Sequence, residues 1–134
     1  RDRSPSRGLG DVYKRQILAF AKSPVGMRMR NAFLNETLKR EQPFVMSVPA
    51  SEADPSYPED ETILVQGIID AWFPEGDEIV LVDYKTDRVK EAGELKKRYE
   101  KQLAYYQQAL ERTTGKKVKE KIIYSLALDE ELVL

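Results

Sequence analysis

The chain contains neither cysteine nor histidine. Without cysteine there can be no disulfide framework, no thiolate zinc site and no iron–sulfur cluster, which suits a cytoplasmic protein. Without histidine, the commonest general base near neutral pH and the commonest transition-metal ligand are both missing. Chemistry in this chain must therefore run on carboxylates, lysine, tyrosine or a bound metal. No apolar run approaches the ~18 residues of a membrane span, and the N-terminus lacks the apolar core of a signal peptide, so no membrane partner is expected. Charge of one sign is lacking too: 22 Lys and Arg stand against 23 Asp and Glu, for a net charge of −1. Affinity for phosphates depends on neutralising them with Lys and Arg. A grip on nucleic acid would thus have to be supplied largely by other parts of a larger machine.

What remains is an ordinary globular composition, 41% hydrophobic and 34% charged over 134 residues, enough for one domain with a sizeable core. Residues 1–16 carry no apolar periodicity and are crowded with Arg, Ser, Gly and Pro, which reads as a disordered tail or linker. The string also resembles translated adapter sequence, and the fold is expected over 17–134. From Ile17 to Leu38 the spacing predicts helix, broken near Ser23-Pro24. Glu41 to Pro49 reads as a strand, and Ser51 to Asp60 as an acidic loop. Thr62–Phe73 and Glu78–Thr86 are the best strands, joined through the turn signal Pro74-Glu75-Gly76-Asp77. Glu94 to Thr113 is the best helix, with Leu95, Tyr99, Leu103, Tyr106 and Leu110 at helical spacing and Gly115 as its C-cap. Val118 to Leu128 is a last strand. The order α-β-β-β-α-β describes an α/β fold with a mixed β-sheet flanked by helices.

Chemistry concentrates at the two best strands. Alternation puts Asp83 and Lys85 on one side of the second strand, with Ile79 and Leu81. If Gly76-Asp77 forms a two-residue turn, Glu75 pairs with Glu78 and Asp70 falls opposite Asp83; a turn of odd length would split them. Carboxylates facing each other across strands repel unless a cation lies between them. Magnesium would serve, with hard oxygen ligands and retained waters. The Tyr84 backbone carbonyl is a natural further ligand, and Lys85 could stabilise charge or orient an attacking water. An isolated Asp-x-Lys is usually a surface ion pair. Here, though, the apolar run Ile79-Val80-Leu81-Val82 describes a strand covered on both faces, where terminal charges need a reason. Gln102 and Tyr106 share one helix face, near Lys96, Lys97, Arg98 and Lys101, and could hydrogen-bond phosphate or sugar.

Gly67-Ile-Ile-Asp70, Asp83-Tyr-Lys85-Thr-Asp87 and Gln102-Leu-Ala-Tyr-Tyr106 together resemble the RecB-like branch of the PD-(D/E)xK nuclease superfamily. More narrowly, residues 17–134 are similar to the C-terminal nuclease domains of helicase–nuclease subunits of the AddA type. The resemblance implies a restriction-endonuclease-like core and a Mg2+-dependent DNA exonuclease, with Mn2+ able to substitute. Its setting would be double-strand-break repair and recombination. It implies DNA as substrate, helicase domains in the same polypeptide as the place where ATP acts, and, as partner, a second nuclease subunit. Position by position, Asp70 and Asp83 would be metal ligands and Lys85 the catalytic lysine. Gln102, Tyr106 and Lys101 would contact DNA, and Glu41 matches an accessory acidic position. One departure is the histidine that the family's metal site usually draws from an upstream helix, which this chain lacks. A domain truncated on its N-terminal side, inactive by itself, is one expectation from that; a non-catalytic nuclease-fold scaffold or DNA-binding module is the alternative.

Overall fold

The chain breaks its first helical stretch where Ser23 meets Pro24. The Ser23 hydroxyl caps the second helix by accepting the Gly26 N–H, and Pro24 opens that helix where its missing N–H costs nothing. The computed structural model describes residues 5–134, with side chains from Gly10 onward. Its elements are α1 (Pro5–Lys22), α2 (Pro24–Leu34), β1 (Lys39–Pro49), a short α3 (Ala50–Ala53), β2 (Thr62–Glu75), β3 (Glu78–Lys85), α4 (Ala92–Thr114), β4 (Val118–Ser125) and β5 (Glu130–Val133). They build the mixed α/β sheet expected from sequence. Among the described residues no helix is long and apolar enough to cross a membrane.

The sheet runs in sequence order, β1-β2-β3-β4-β5. The first three strands form an antiparallel meander, α4 carries the chain across to the parallel β4, and β5 returns antiparallel. Alternating side chains then bury both faces of the central strands. Val80 and Val82 of β3 pack with Ala71, Phe73, Ile122 and Tyr124 under Val25, Met29 and Ala32 of α2. Ile79 and Leu81 pack with Ile123 under Leu95, Leu103, Tyr106 and Leu110 of α4. α4 ends as anticipated at Gly115, whose φ of 71° is left-handed and whose N–H closes onto the Glu111 carbonyl.

Three elements differ from the sequence reading. Residues 5–16, read as an irregular tail, belong to α1; residues 1–4 lie outside the described region. α1 docks through Phe20, edge-on to Tyr84 and Tyr124, and through Gln16, which donates to the Leu126 carbonyl at 3.1 Å. Among the described side chains of this helix, Val12, Tyr13, Ile17 and Leu18 stay exposed. The acidic loop begins with the single helical turn of α3. The last predicted strand stops at Ser125, turns, and returns as β5.

Candidate active site

The turn between β2 and β3 has the two residues Gly76-Asp77, with Gly76 at φ 65°, and Glu75 pairs with Glu78. That register runs unbroken to Ala71 opposite Val82. One step further, Asp70 would face Asp83, but the ladder ends there. On its other side Asp70 also drops out: β1 pairs Arg40 with Ala71 and Gln42 with Ile69, skipping Glu41 and Asp70. Glu41 sits at φ 50°, left-handed backbone that only a local irregularity accommodates. The side-chain alternation slips at the same place. Ile69 and Trp72 both pack toward α4, while Ala71 and Phe73 pack toward α2. Beyond this point β2 leaves β3 and continues with β1 alone, opening the sheet at Asp70.

With its strand partners gone, the Asp70 carboxylate accepts the Tyr84 backbone N–H at 2.9 Å through Oδ2. The sidestep keeps Asp70 beside the end of β3, where Asp83 is 2% exposed. Burial, against the pull of Lys85 and with a smaller push from Asp70 as a neighbouring charge and hydrogen-bond partner, raises the Asp83 carboxyl to about 6. Lys85 Nζ lies 2.9 Å from Asp83 Oδ2, yet that oxygen is buried and receives no properly angled hydrogen bond. The contact is a close ion pair and not a well-aligned hydrogen bond.

Lys85 directs its hydrogen bond elsewhere, to Gln102 Oε1 at 2.8 Å. Its ammonium also stands over the Tyr99 ring, 4.0 Å from the centroid. The Tyr99 hydroxyl donates to Asp87 Oδ2 at 2.7 Å, and Arg98 donates to the same oxygen at 2.8 Å. These bonds hold the Asp87 carboxyl below its ordinary range, Tyr99 first and Arg98 second.

The structure thus gathers Asp70, Asp83, Tyr84, Lys85 and Gln102 at the point where β2 and β3 part, with α4 alongside. Tyr106 lies one helical turn beyond Gln102 but is only 7% exposed, packed edge-on against Phe44 with ring centroids 5.4 Å apart. Burial weakens its phenol as an acid, and the charges of Asp83 and Asp70 add to the effect. Its ring belongs to the core while its hydroxyl senses the carboxylates. Lys101 is exposed on α4, and Glu41 is exposed on β1 across the irregularity from Asp70. Tyr99 and Asp87 were missed as site residues from sequence. Tyr99 reads there as a member of the α4 apolar stripe, and the only signal otherwise is that it precedes Gln102 by one helical turn.

Comparison with known proteins places the chain in a family. The profile of the PD-(D/E)XK nuclease superfamily matches residues 5–132. Among curated proteins, the chain is 45% identical over 118 residues to an ATP-dependent helicase/nuclease subunit of Clostridium botulinum (strain Loch Maree / Type A3), a match that covers 85% of this chain and 9% of that protein. It is 43% identical over 122 residues to the same-named subunit of Clostridium kluyveri, covering 88% of this chain and 10% of that protein. The chain spans about a tenth of the length of these relatives.

Proposed function

This chain belongs to the PD-(D/E)XK nuclease superfamily, and from that premise we propose that it is the nuclease part of a helicase–nuclease subunit. Its reaction is the hydrolysis of DNA phosphodiester bonds with a divalent metal, Mg2+ in the first instance and Mn2+ as a substitute. It acts as an exonuclease on strands delivered by helicase domains of the same polypeptide. Its place is double-strand-break repair and recombination, in the cytoplasm, beside a second nuclease subunit. The observation that carries the reading is Asp83, a carboxylate buried at the end of a core strand beside a second carboxylate and a lysine. Such a buried combination contributes little to stability, and perturbed carboxylates of this kind cluster at functional sites.

The residues present fit a hard divalent cation. Asp83 Oδ2 is a buried oxygen paired with Lys85 but without a well-aligned hydrogen bond, and Asp70 spends only one of its oxygens on the Tyr84 N–H. With the Tyr84 carbonyl they form an all-oxygen donor set. Among the described residues no group of three or more His, Cys, Asp and Glu side chains surrounds a common point, so carbonyl and water oxygens must complete the shell. When bound, such an ion supplies Lewis-acid polarisation of the phosphate and a water made nucleophilic near neutral pH. Asp70 is preset by the Tyr84 N–H, and Asp70 and Asp83 would together hold the ion, whose charge would offset their mutual repulsion. Lys85 holds its ammonium at the edge of the carboxylates, where charge developing on the phosphoryl oxygens can be met without reorganisation. Gln102 holds that ammonium by accepting its hydrogen bond, so Gln102 reaches DNA only through what Lys85 leaves open. The exposed Lys101 supplies a phosphate contact on the same helix.

The test is cleavage of end-labelled linear DNA with Mg2+ or Mn2+ and an EDTA control. This chain would be run beside a longer polypeptide that carries the histidine-bearing helix of the family. Metal-dependent shortening from the labelled end supports the reading. No cleavage by either polypeptide, with both folded, overturns it in favour of a nuclease-fold scaffold or DNA-binding module, which the absence of a third side-chain ligand favours.

A further inference from the structure

Lysine is a long, flexible carrier of charge, and fixing its ammonium costs rotamer freedom. Around Lys85 that fixing is shared between one charged neighbour and two neutral ones: Asp83, Gln102 and the face of Tyr99. The charged neighbour is the least dependable, because any cation bound by Asp83 draws on the same carboxylate. The neutral neighbours do not compete with a cation. Of these, Tyr99 is itself tethered. Its hydroxyl donates to Asp87, which follows Lys85 by two residues, and Arg98 secures the same Asp87 oxygen. The ring is thereby fastened to the segment that carries the lysine it supports, and Gln102 approaches from the next turn of the same helix.

We propose that Tyr99 is a positioning residue: its ring, tethered through Asp87, holds the Lys85 ammonium in place by a cation–π contact when the adjacent carboxylates are occupied. The catalytic consequence rests on the nuclease reading above; the contact itself does not. A cation over an aromatic face is held by the negative face of the ring's quadrupole. The attraction comes from the ring, and the hydroxyl sets the ring's orientation through Asp87. Tyr99→Phe and Tyr99→Leu therefore separate positioning from packing. The first keeps the ring and loses the Asp87 bond; the second keeps apolar bulk and loses the ring.

The experiment reads two things on this chain, or on the longer polypeptide where that is the active form. The first is the side-chain proton shifts of Lys85 without metal, assigned by their loss in Lys85→Arg. The second is kcat, KM and Mg2+ dependence on linear DNA. The Lys85 methylene next to the ammonium is expected upfield by ring current in the wild type and in Tyr99→Phe, and at ordinary shifts in Tyr99→Leu. In Tyr99→Leu kcat should fall about 10- to 100-fold, the scale of a misplaced catalytic group, with KM and Mg2+ dependence unchanged. Tyr99→Phe, which keeps the ring and loses its tether, should lose clearly less kcat than Tyr99→Leu even where its melting temperature drops. Ordinary Lys85 shifts in the wild type, an unchanged kcat in Tyr99→Leu, or an equal loss in Tyr99→Phe would each overturn the proposal. If the wild type itself cuts no DNA, the nuclease reading fails, and the ring contact stands or falls on the shifts. Should Tyr99→Leu not fold, Tyr99→Met takes its place.

Discussion

The β2–β3 pair carries acidic residues at both ends, and the two ends treat them in opposite ways. At the turn end, Glu75 receives Arg28 of α2 through two hydrogen bonds, of 2.7 and 3.0 Å, with Lys119 3.1 Å away. Its carboxyl is held down at about 2, Arg28 being the main cause. At the open end Asp83 is buried, faces another carboxylate, and is pushed up to about 6. An acid with cations around it ties elements together: Arg28 reaches Glu75 on β2 and Glu120 on β4, joining α2 to both sides of the sheet. Asp83 has Lys85 2.9 Å away and Asp70 beside it, yet burial outweighs the pull of the lysine, so the ionised acid is disfavoured where it stands. The same two strands therefore hold a clasp at one end and an acid that resists its charge at the other.

The sharpest way to break that comparison is to remove the unfavourable acid. Asp83→Asn should lower cleavage on the order of 10³-fold or more, since an ion's contribution amounts to several kcal/mol. In metal-free protein it should instead raise stability, by about 1–3 kcal/mol, because an ionised carboxylate leaves a site that disfavours it. Activity assays and denaturant unfolding in EDTA check the two halves. A variant that both cleaves normally and unfolds at the wild-type midpoint would put Asp83 outside any metal site. Lys85→Ala comes next, with a loss of about 10²- to 10³-fold in kcat and nearly normal Mg2+ binding by calorimetry. If Mg2+ binding disappears instead, the lysine organises the carboxylates and does not serve the chemistry.

The clasp end should respond in the other currency. Arg28→Ala should leave kcat unchanged and lower stability by about 1–2 kcal/mol, well under the full worth of the Glu75 shift because the side chains are about a third exposed and Lys119 remains. The pH dependence has a definite sign. Glu75 binds its proton less readily folded than unfolded, so its contribution is whole above about 4.5 and is lost as pH falls toward about 2. Denaturant midpoints measured across that range should show an acid decline in the wild type that is shallower in Arg28→Ala. Equal slopes would mean that Arg28 does not set the Glu75 titration.

The sequence shows these ends unequally, for physical reasons. Asp70, Asp83 and Lys85 are legible because strand alternation and a two-residue turn carry faces and register across a hairpin. The same arithmetic brings Asp70 only to the edge of its position. The final step is taken by the Glu41/Asp70 irregularity, whose signal is a backbone angle with no glycine to announce it. The Arg28 clasp joins residues far apart in the chain, and nothing local in α2 marks Arg28 as different from Arg30. The start of α1 is illegible because Gly8, Gly10 and Ser6 are poor helix formers, and the contacts of Phe20 and Gln16 that dock it are with residues far along the chain. Tyr106 is instructive in the other direction: helical spacing puts it beside Gln102 correctly, but spacing cannot say that its ring is enclosed.

That enclosure offers the mildest test of the open end. Gly67 lies where β2 passes over α4, and a methyl there would meet Phe44 Cε1 at 3.1 Å and Tyr106 Cε1 at 3.3 Å. Phe44 is half-buried and can swing outward by a few tenths of an ångström, whereas Tyr106 is confined. Alanine in a strand also restricts the unfolded chain more than glycine does, which offsets part of the squeeze. Gly67→Ala should therefore change stability by less than about 1 kcal/mol, with Phe44 moving and Tyr106 staying. Since Tyr106 keeps its hydroxyl near Asp70 and Asp83, cleavage should fall only slightly. A large loss of cleavage without a loss of stability would mean that the Phe44–Tyr106 contact aligns the carboxylates. The open end would then depend on aromatic packing as tightly as the turn end depends on Arg28.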